Sequence, residues 1–94
     1  MEIIITHLNA DFDALASMLA AKKLYPSAKP VFPGSQEKSL RDFLVRSTFY
    51  VFESERLKDV DLERVKKMIV VDTRQRSRIG KFAELLDRGV EVHI

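Results

Sequence analysis

The stretch EIIITHLNADFDALASMLAAKKL, residues 2–24, decides the fold. Residues 2–6 (EIIIT) form a short β-branched run, as expected of a strand buried on both faces. Residues 13–24 (DALASMLAAKKL) then predict a helix. Ala14, Leu15, Met18, Leu19 and Ala21 supply its apolar face, and the alanines permit close packing on a sheet. Pro26 and Pro30 stop that helix.

Outward from there, Val31 and Phe32 predict a second short strand, ended by Pro33-Gly34. Ser35 reads as the N-cap of a helix over 36–46, with Leu40, Phe43 and Leu44 on one face. A third strand is expected at 48–52 (TFYVF) and a short helix or turn at 61–66. Residues 68–72 (MIVVD) are the second strongly buried strand. Ser77 is expected to cap a helix over 78–88, where Ile79, Phe82, Ala83 and Leu86 follow helical spacing, and Gly89 ends it. Residues 90–94 (VEVHI) start another strand. Strands alternating with helices indicate an α/β fold, a three-layer αβα arrangement with a mainly parallel sheet. The strands at 2–6 and 68–72 should be adjacent and parallel, with helices 13–24 and 78–88 packed on the sheet.

At 94 residues, with 46% hydrophobic and 32% charged, the chain reads as one globular domain or a piece of one. No apolar run approaches the roughly 20 residues of a membrane span. The N-terminus enters a strand with no basic n-region and no cleavage site, so a cytoplasmic protein without a signal peptide is expected. With no cysteine, the chain has no disulfide, thiolate metal site or Cys nucleophile. Charge is uneven. Residues 53–63 are acidic, whereas residues 64–81 carry seven Lys and Arg against Asp72 alone. That basic stretch is either a phosphate- or RNA-attracting surface or an ordinary solvated face. The sequence stops inside an apparent strand, which suggests a piece of something longer. Its exposed sheet or helix surface would favour association, a homodimer included.

Chemistry concentrates after the first strand. THLNADFDALAS places His7, Asp11 and Asp13 within seven residues, in the loop that leaves a strand's carboxyl end and faces the ligand crevice of an α/β sheet. Imidazole nitrogen with hard carboxylate oxygens suits Mn, Fe or Zn better than Ca. A helix-capping role explains Asp13 alone, but not His7 or Asp11. Asp72 ends the second buried strand. With the two strands adjacent it faces the first group, and three carboxylates in one place require a cation; alternatively Asp72 only starts a turn. Ser17 reads as a packing residue and His93 as a strand histidine. Asn9 either orients a phosphate or water or shapes the loop. Arg74, Arg76 and Arg78 share a face if the segment is extended, and then either hold phosphates or are solvated.

The pattern His-x3-Asp-x-Asp-x3-Ser, filled by His7, Asp11, Asp13 and Ser17, resembles the first motif of the DHH phosphoesterase superfamily, and strand-terminal Asp72 matches its second. The ending VEVHI resembles the strand before the third motif, Asp-His-His, which is absent here, as is the fourth-motif aspartate. ITHLNADFDALASMLAAKKLYP and VVDTRQRSRIGKFAELL are similar to the DHH segment at the start of some bacterial poly(A) polymerase or tRNA nucleotidyltransferase-like proteins with CBS domains. The resemblance implies that residues 1–94 are the N-terminal part of a phosphoesterase domain that hydrolyses phosphoric esters with two Mn²⁺ ions, Mg²⁺ being the other candidate. It implies that His7 and Asp11 bind one metal, Asp13 binds the second and Asp72 bridges them, with Asp13 and Asp72 as the catalytic pair. A cation pair of this kind lowers the pKa of a bridging water and neutralises phosphoryl charge. Lacking the later motifs, the isolated chain is expected to be catalytically poor.

Two rivals stand beside that reading. One is a non-catalytic RNA- or nucleotide-binding module of a nucleotidyltransferase-like parent, favoured by the Arg series. The other, a receiver-like domain with an acidic pocket, leaves His7 unexplained.

Overall fold

A computed structural model of the chain describes residues 1–34, 36–46, 60–73 and 75–94, with residues 44–46 described by backbone only. The expected cap at Ser35, the strand expected at 48–52, the side chain of Leu44 and all of Arg74 lie outside the described residues.

Four parallel strands form one sheet in the order β2-β1-β3-β4. These are β1 (Glu2–Ile5), β2 (Lys29–Val31), β3 (Lys67–Val70) and β4 (Glu91–His93). β1 pairs in register with β3, Ile3 beside Met68 and Ile5 beside Val70, so the two buried runs are parallel neighbours as expected. Alternation then sorts the core. Ile3, Ile5, Met68 and Val70 face one side, and Ile4 and Ile69 the other.

Helix α1 (Phe12–Leu24) covers the Ile4–Ile69 face through Ala14, Leu15, Met18 and Ala21. Leu19, expected on that face, is 39% exposed. Pro30 does not act as a helix stop: it lies within β2 and pairs with Ile4. β2 is an outer strand, where a residue without an N–H costs the ladder little. Helix α2 (Lys38–Arg46) adds Leu40 to the same core.

The opposite face is covered by a different kind of helix. Where an α-helix over 78–88 was expected, the chain makes a 3-10 turn at Arg76–Arg78 and a 3-10 run at Gly80–Arg88. Ser77 falls inside the first turn, and no side chain caps either segment. Three residues per turn bring i, i+3 and i+6 onto one line. The buried residues are accordingly Ile79, Phe82 and Leu85, while Leu86 is 37% exposed. Gly89 ends the run with a left-handed φ of 75°. A shorter 3-10 turn, Leu62–Arg64, occupies the stretch expected to be a helix or turn.

The β1→β2 and β3→β4 crossovers leave the centre of the sheet in opposite directions, so right-handed connections put their helices on opposite faces. The result is three layers, with a topological switch between β1 and β3, where a crevice opens at the strands' carboxyl ends. Among the described residues, no helix is long and apolar enough to cross a membrane.

Candidate metal centre

The loops leaving β1 and β3 meet at that switch point and are tied together. The buried Thr6 hydroxyl donates to the Val71 carbonyl at 3.0 Å, and Val71 N–H donates to the Ile5 carbonyl at 3.0 Å. Leu8 N–H donates to the Arg78 carbonyl at 2.6 Å. The Leu8 side chain lies over Gly34 and Gly80, where an added Cβ would come within 2.8 Å and 3.2 Å of its Cδ2. His7 is held between these ties and is 4% exposed.

The His7 ring makes two contacts that fix its chemistry. Nδ1 lies 2.8 Å from the Leu8 carbonyl oxygen, an acceptor that favours the tautomer with the proton on Nδ1. Nε2 lies 3.1 Å from Asp72 Oδ2 and 3.9 Å from Asp11 Oδ1. In the neutral ring this tautomer aims a bare lone pair at two carboxylates, an arrangement relieved by a proton or by a metal cation. A ligating histidine whose other nitrogen donates to a backbone carbonyl is the usual metal-site pattern. Ligand atoms of His7, Asp11 and Asp72 all lie within 4.8 Å of one another. One imidazole nitrogen and two hard oxygens fit a divalent transition ion.

Each acid is placed by its backbone. Asp11 is the N-cap of α1, its Oδ1 accepting from Ala14 N–H at 2.9 Å, which leaves Oδ2 for a ligand. Asp72 stands two residues beyond β3 with φ 62°, and Asn9 has φ 55° in the facing loop. Left-handed backbone of this kind costs energy in residues other than glycine, and it clusters at ligand sites.

Of the four residues expected to converge, His7, Asp11 and Asp72 do so. Asp13 stays outside the group, exposed in the first turn of α1, and the capping role belongs to Asp11. Asn9 is exposed at the loop tip. His93 lies on β4, its Nδ1 2.9 Å from the Tyr25 hydroxyl and its ring edge-on to the tyrosine, apart from the three. Arg76 and Arg78 do not share a face, because a 3-10 turn sets residues two apart about 240° apart. Arg76 grips Asp87 with both terminal nitrogens. That hydrogen-bonded pair raises the Arg76 pKa and holds the Asp87 carboxyl below its usual range. The Arg78 guanidinium instead lies 3.3 Å from His7 Nδ1.

Sequence reading missed the groove beside the site. It has a volume of about 530 Å³, and Asp72 and Thr73 line it together with Ser17, Ala20, Val71 and Ile94. Ser17 looked like a packing residue from helical spacing; its place on the groove wall follows only from how α1 lies on β3.

No family model matches the chain, and no solved structure matches it. It is 54% identical over 95 residues to an A-adding tRNA nucleotidyltransferase of Geobacter sulfurreducens, an alignment covering 100% of this chain and 11% of that protein. The chain thus spans 11% of the length of the curated relative it matches.

Proposed function

We propose that this chain is the first part of a DHH-type phosphoesterase domain, within a longer protein related to RNA nucleotidyltransferases. The complete domain would hydrolyse phosphoric esters of nucleotides, oligonucleotides or polyphosphate with Mn²⁺ as the preferred ion and Mg²⁺ as the alternative. The observation that supports this best is the convergence of His7 Nε2 with the Asp72 and Asp11 carboxylates at the sheet's switch point. A divalent cation held there by His7, Asp11 and Asp72 would supply an acidified water and charge neutralisation for a phosphoryl group. His7 would offer Nε2, with Nδ1 turned to the Leu8 carbonyl. Asp11 offers its free oxygen while its other oxygen anchors α1. Asp72 would offer a carboxylate from the facing loop, and in the complete domain it would serve both ions. Asp13 is assigned to the second ion, together with ligands from sequence beyond this chain.

The test uses the full-length protein. Calorimetric titration should show Mn²⁺ binding that Asp72→Ala abolishes, with loss of Mn²⁺-dependent hydrolysis of a short oligonucleotide and an unchanged circular dichroism spectrum. Equal Mn²⁺ affinity in the two proteins would remove Asp72 from the site.

A second reading is favoured by the relative's name: the segment serves as an RNA-binding module of an A-adding protein. It predicts that Asp72→Ala leaves hydrolysis absent in both proteins and weakens tRNA binding instead.

A further inference from the structure

Arg78 is anchored like a component of the site. Its carbonyl accepts from Leu8 N–H at 2.6 Å, its own N–H donates to the Gln75 carbonyl at 3.0 Å, and the next residue, Ile79, is buried in the core. These ties fix its stem against the loop that carries His7. Its guanidinium stops 3.3 Å from His7 Nδ1. That nitrogen also lies 2.8 Å from the Leu8 carbonyl, so a neutral ring satisfies either the carbonyl or the arginine, and not both. Among the described residues, no carboxylate lies within 4.0 Å of Arg78, in contrast to Arg76, which is closed on Asp87. A planar cation with five donors is therefore held beside the three ligands, with no carboxylate partner among the described residues.

We propose that Arg78 is the phosphate-gripping residue of this site: it holds the oxygens of a phosphoryl group whose remaining oxygen meets the metal at His7, Asp11 and Asp72. The inference rests on the metal reading given above. Guanidinium matches phosphate through paired N–H donors, and its charge offsets the anion's charge where the ligand carboxylates would repel it. It also divides the arginine series by role. Arg76 braces the turn through Asp87, and Arg78 meets the ligand.

Inorganic phosphate is the probe, titrated into the full-length protein saturated with Mn²⁺, after Mn²⁺ affinity has been measured without phosphate. Arg78→Gln should weaken phosphate binding at least fivefold while leaving Mn²⁺ affinity within twofold. Arg78→Lys should recover part of the loss, and Arg76→Gln should keep phosphate affinity within twofold. A smaller loss in Arg78→Gln, an equal loss in Arg76→Gln, or a parallel loss of Mn²⁺ affinity would overturn the assignment, as would a wild type that binds Mn²⁺ but no phosphate. A wild type that binds no Mn²⁺ is a separate result: it removes the metal reading itself and this inference with it.

Discussion

Asp72 carries a left-handed backbone and a carboxylate 3.1 Å from the His7 ring. The two properties separate in Asp72→Asn, because asparagine tolerates φ near 60° about as well as aspartate does. The amide lacks the charge a metal needs. Expected are a metal-free stability within about 0.5 kcal/mol of wild type and an Mn²⁺ affinity lower by on the order of a hundredfold; thermal melts and calorimetry read the two. Gly80 is a sharper structural test. Its φ is 60°, and an added Cβ would stand 3.2 Å from the Pro33 carbonyl oxygen as well as from Leu8. Gly80→Ala should cost roughly 1–2 kcal/mol in denaturant unfolding. The Cβ of Gly34→Ala meets only the end of a partly exposed Leu8 side chain, which can turn away, so its cost should be smaller. The site residues were legible where residue type alone sufficed: imidazole and carboxylates after a strand. Asp11 as the cap, Asp13 outside the group and the divergence of Arg76 from Arg78 were not, because each depends on the local turn geometry, which spacing does not reveal.

Among the elements, β1, β3 and α1 stand within a residue or two of where hydrophobic patterning puts them, because continuous β-branched runs and an alanine-rich face have few alternatives. The segment after residue 76 was misread, and its core contacts say why. Ile79 and Phe82 fit both helix types, but Leu85 is buried and Leu86 is not, which is the signature of three residues per turn. Phe82→Ala should therefore destabilise by about 3–5 kcal/mol and Leu85→Ala by about 2–5 kcal/mol. Leu86→Ala should cost well under either; urea melts that ranked Leu86 above Leu85 would restore the α-helical face. The same element carries the Arg76–Asp87 pair. Asp87's folded pKa is depressed, so its contribution is present above the unfolded carboxylate pKa and is lost as pH falls through the folded value. The gap in melting temperature between wild type and Asp87→Asn should accordingly shrink when the buffer is taken from neutral toward pH 3. The pair is fully exposed, so the gap should be small and should fall with salt.

For the whole molecule, the site joins the two halves of the sheet rather than decorating one of them. His7 and Asp11 follow β1, Asp72 follows β3, and the crossovers from these two parallel strands run outward in opposite directions. An ion that bridges those loops binds only the folded state. At a free concentration of 100 times its dissociation constant, Mn²⁺ should add about 2.7 kcal/mol of stability, reversed by a chelator. For a domain of this size that is a rise in melting temperature of roughly 10 °C or more. No change on adding Mn²⁺ would mean that the three ligands do not close on an ion. The parallel architecture was legible in the alternation of strand and helix patterns. The switch point was not, because strand order depends on which crossover turns which way, and hydrophobic periodicity is silent on that.

The hydrogen bonds and ion contact that tie Thr6 and His7 to the β3 loop link residues 65 positions apart in the chain. During synthesis, at about 5–20 residues per second, the β1 loop leaves the ribosome roughly 3–13 s before its partner exists. Through that interval Ile3, Ile4 and Ile5 have no sheet neighbour on the β3 side, and His7 and Asp11 are an incomplete chelate. The nascent chain therefore passes through a window in which its first strand is sticky, and that window closes, with His7, Asp11 and Asp72 brought together, when β3 docks.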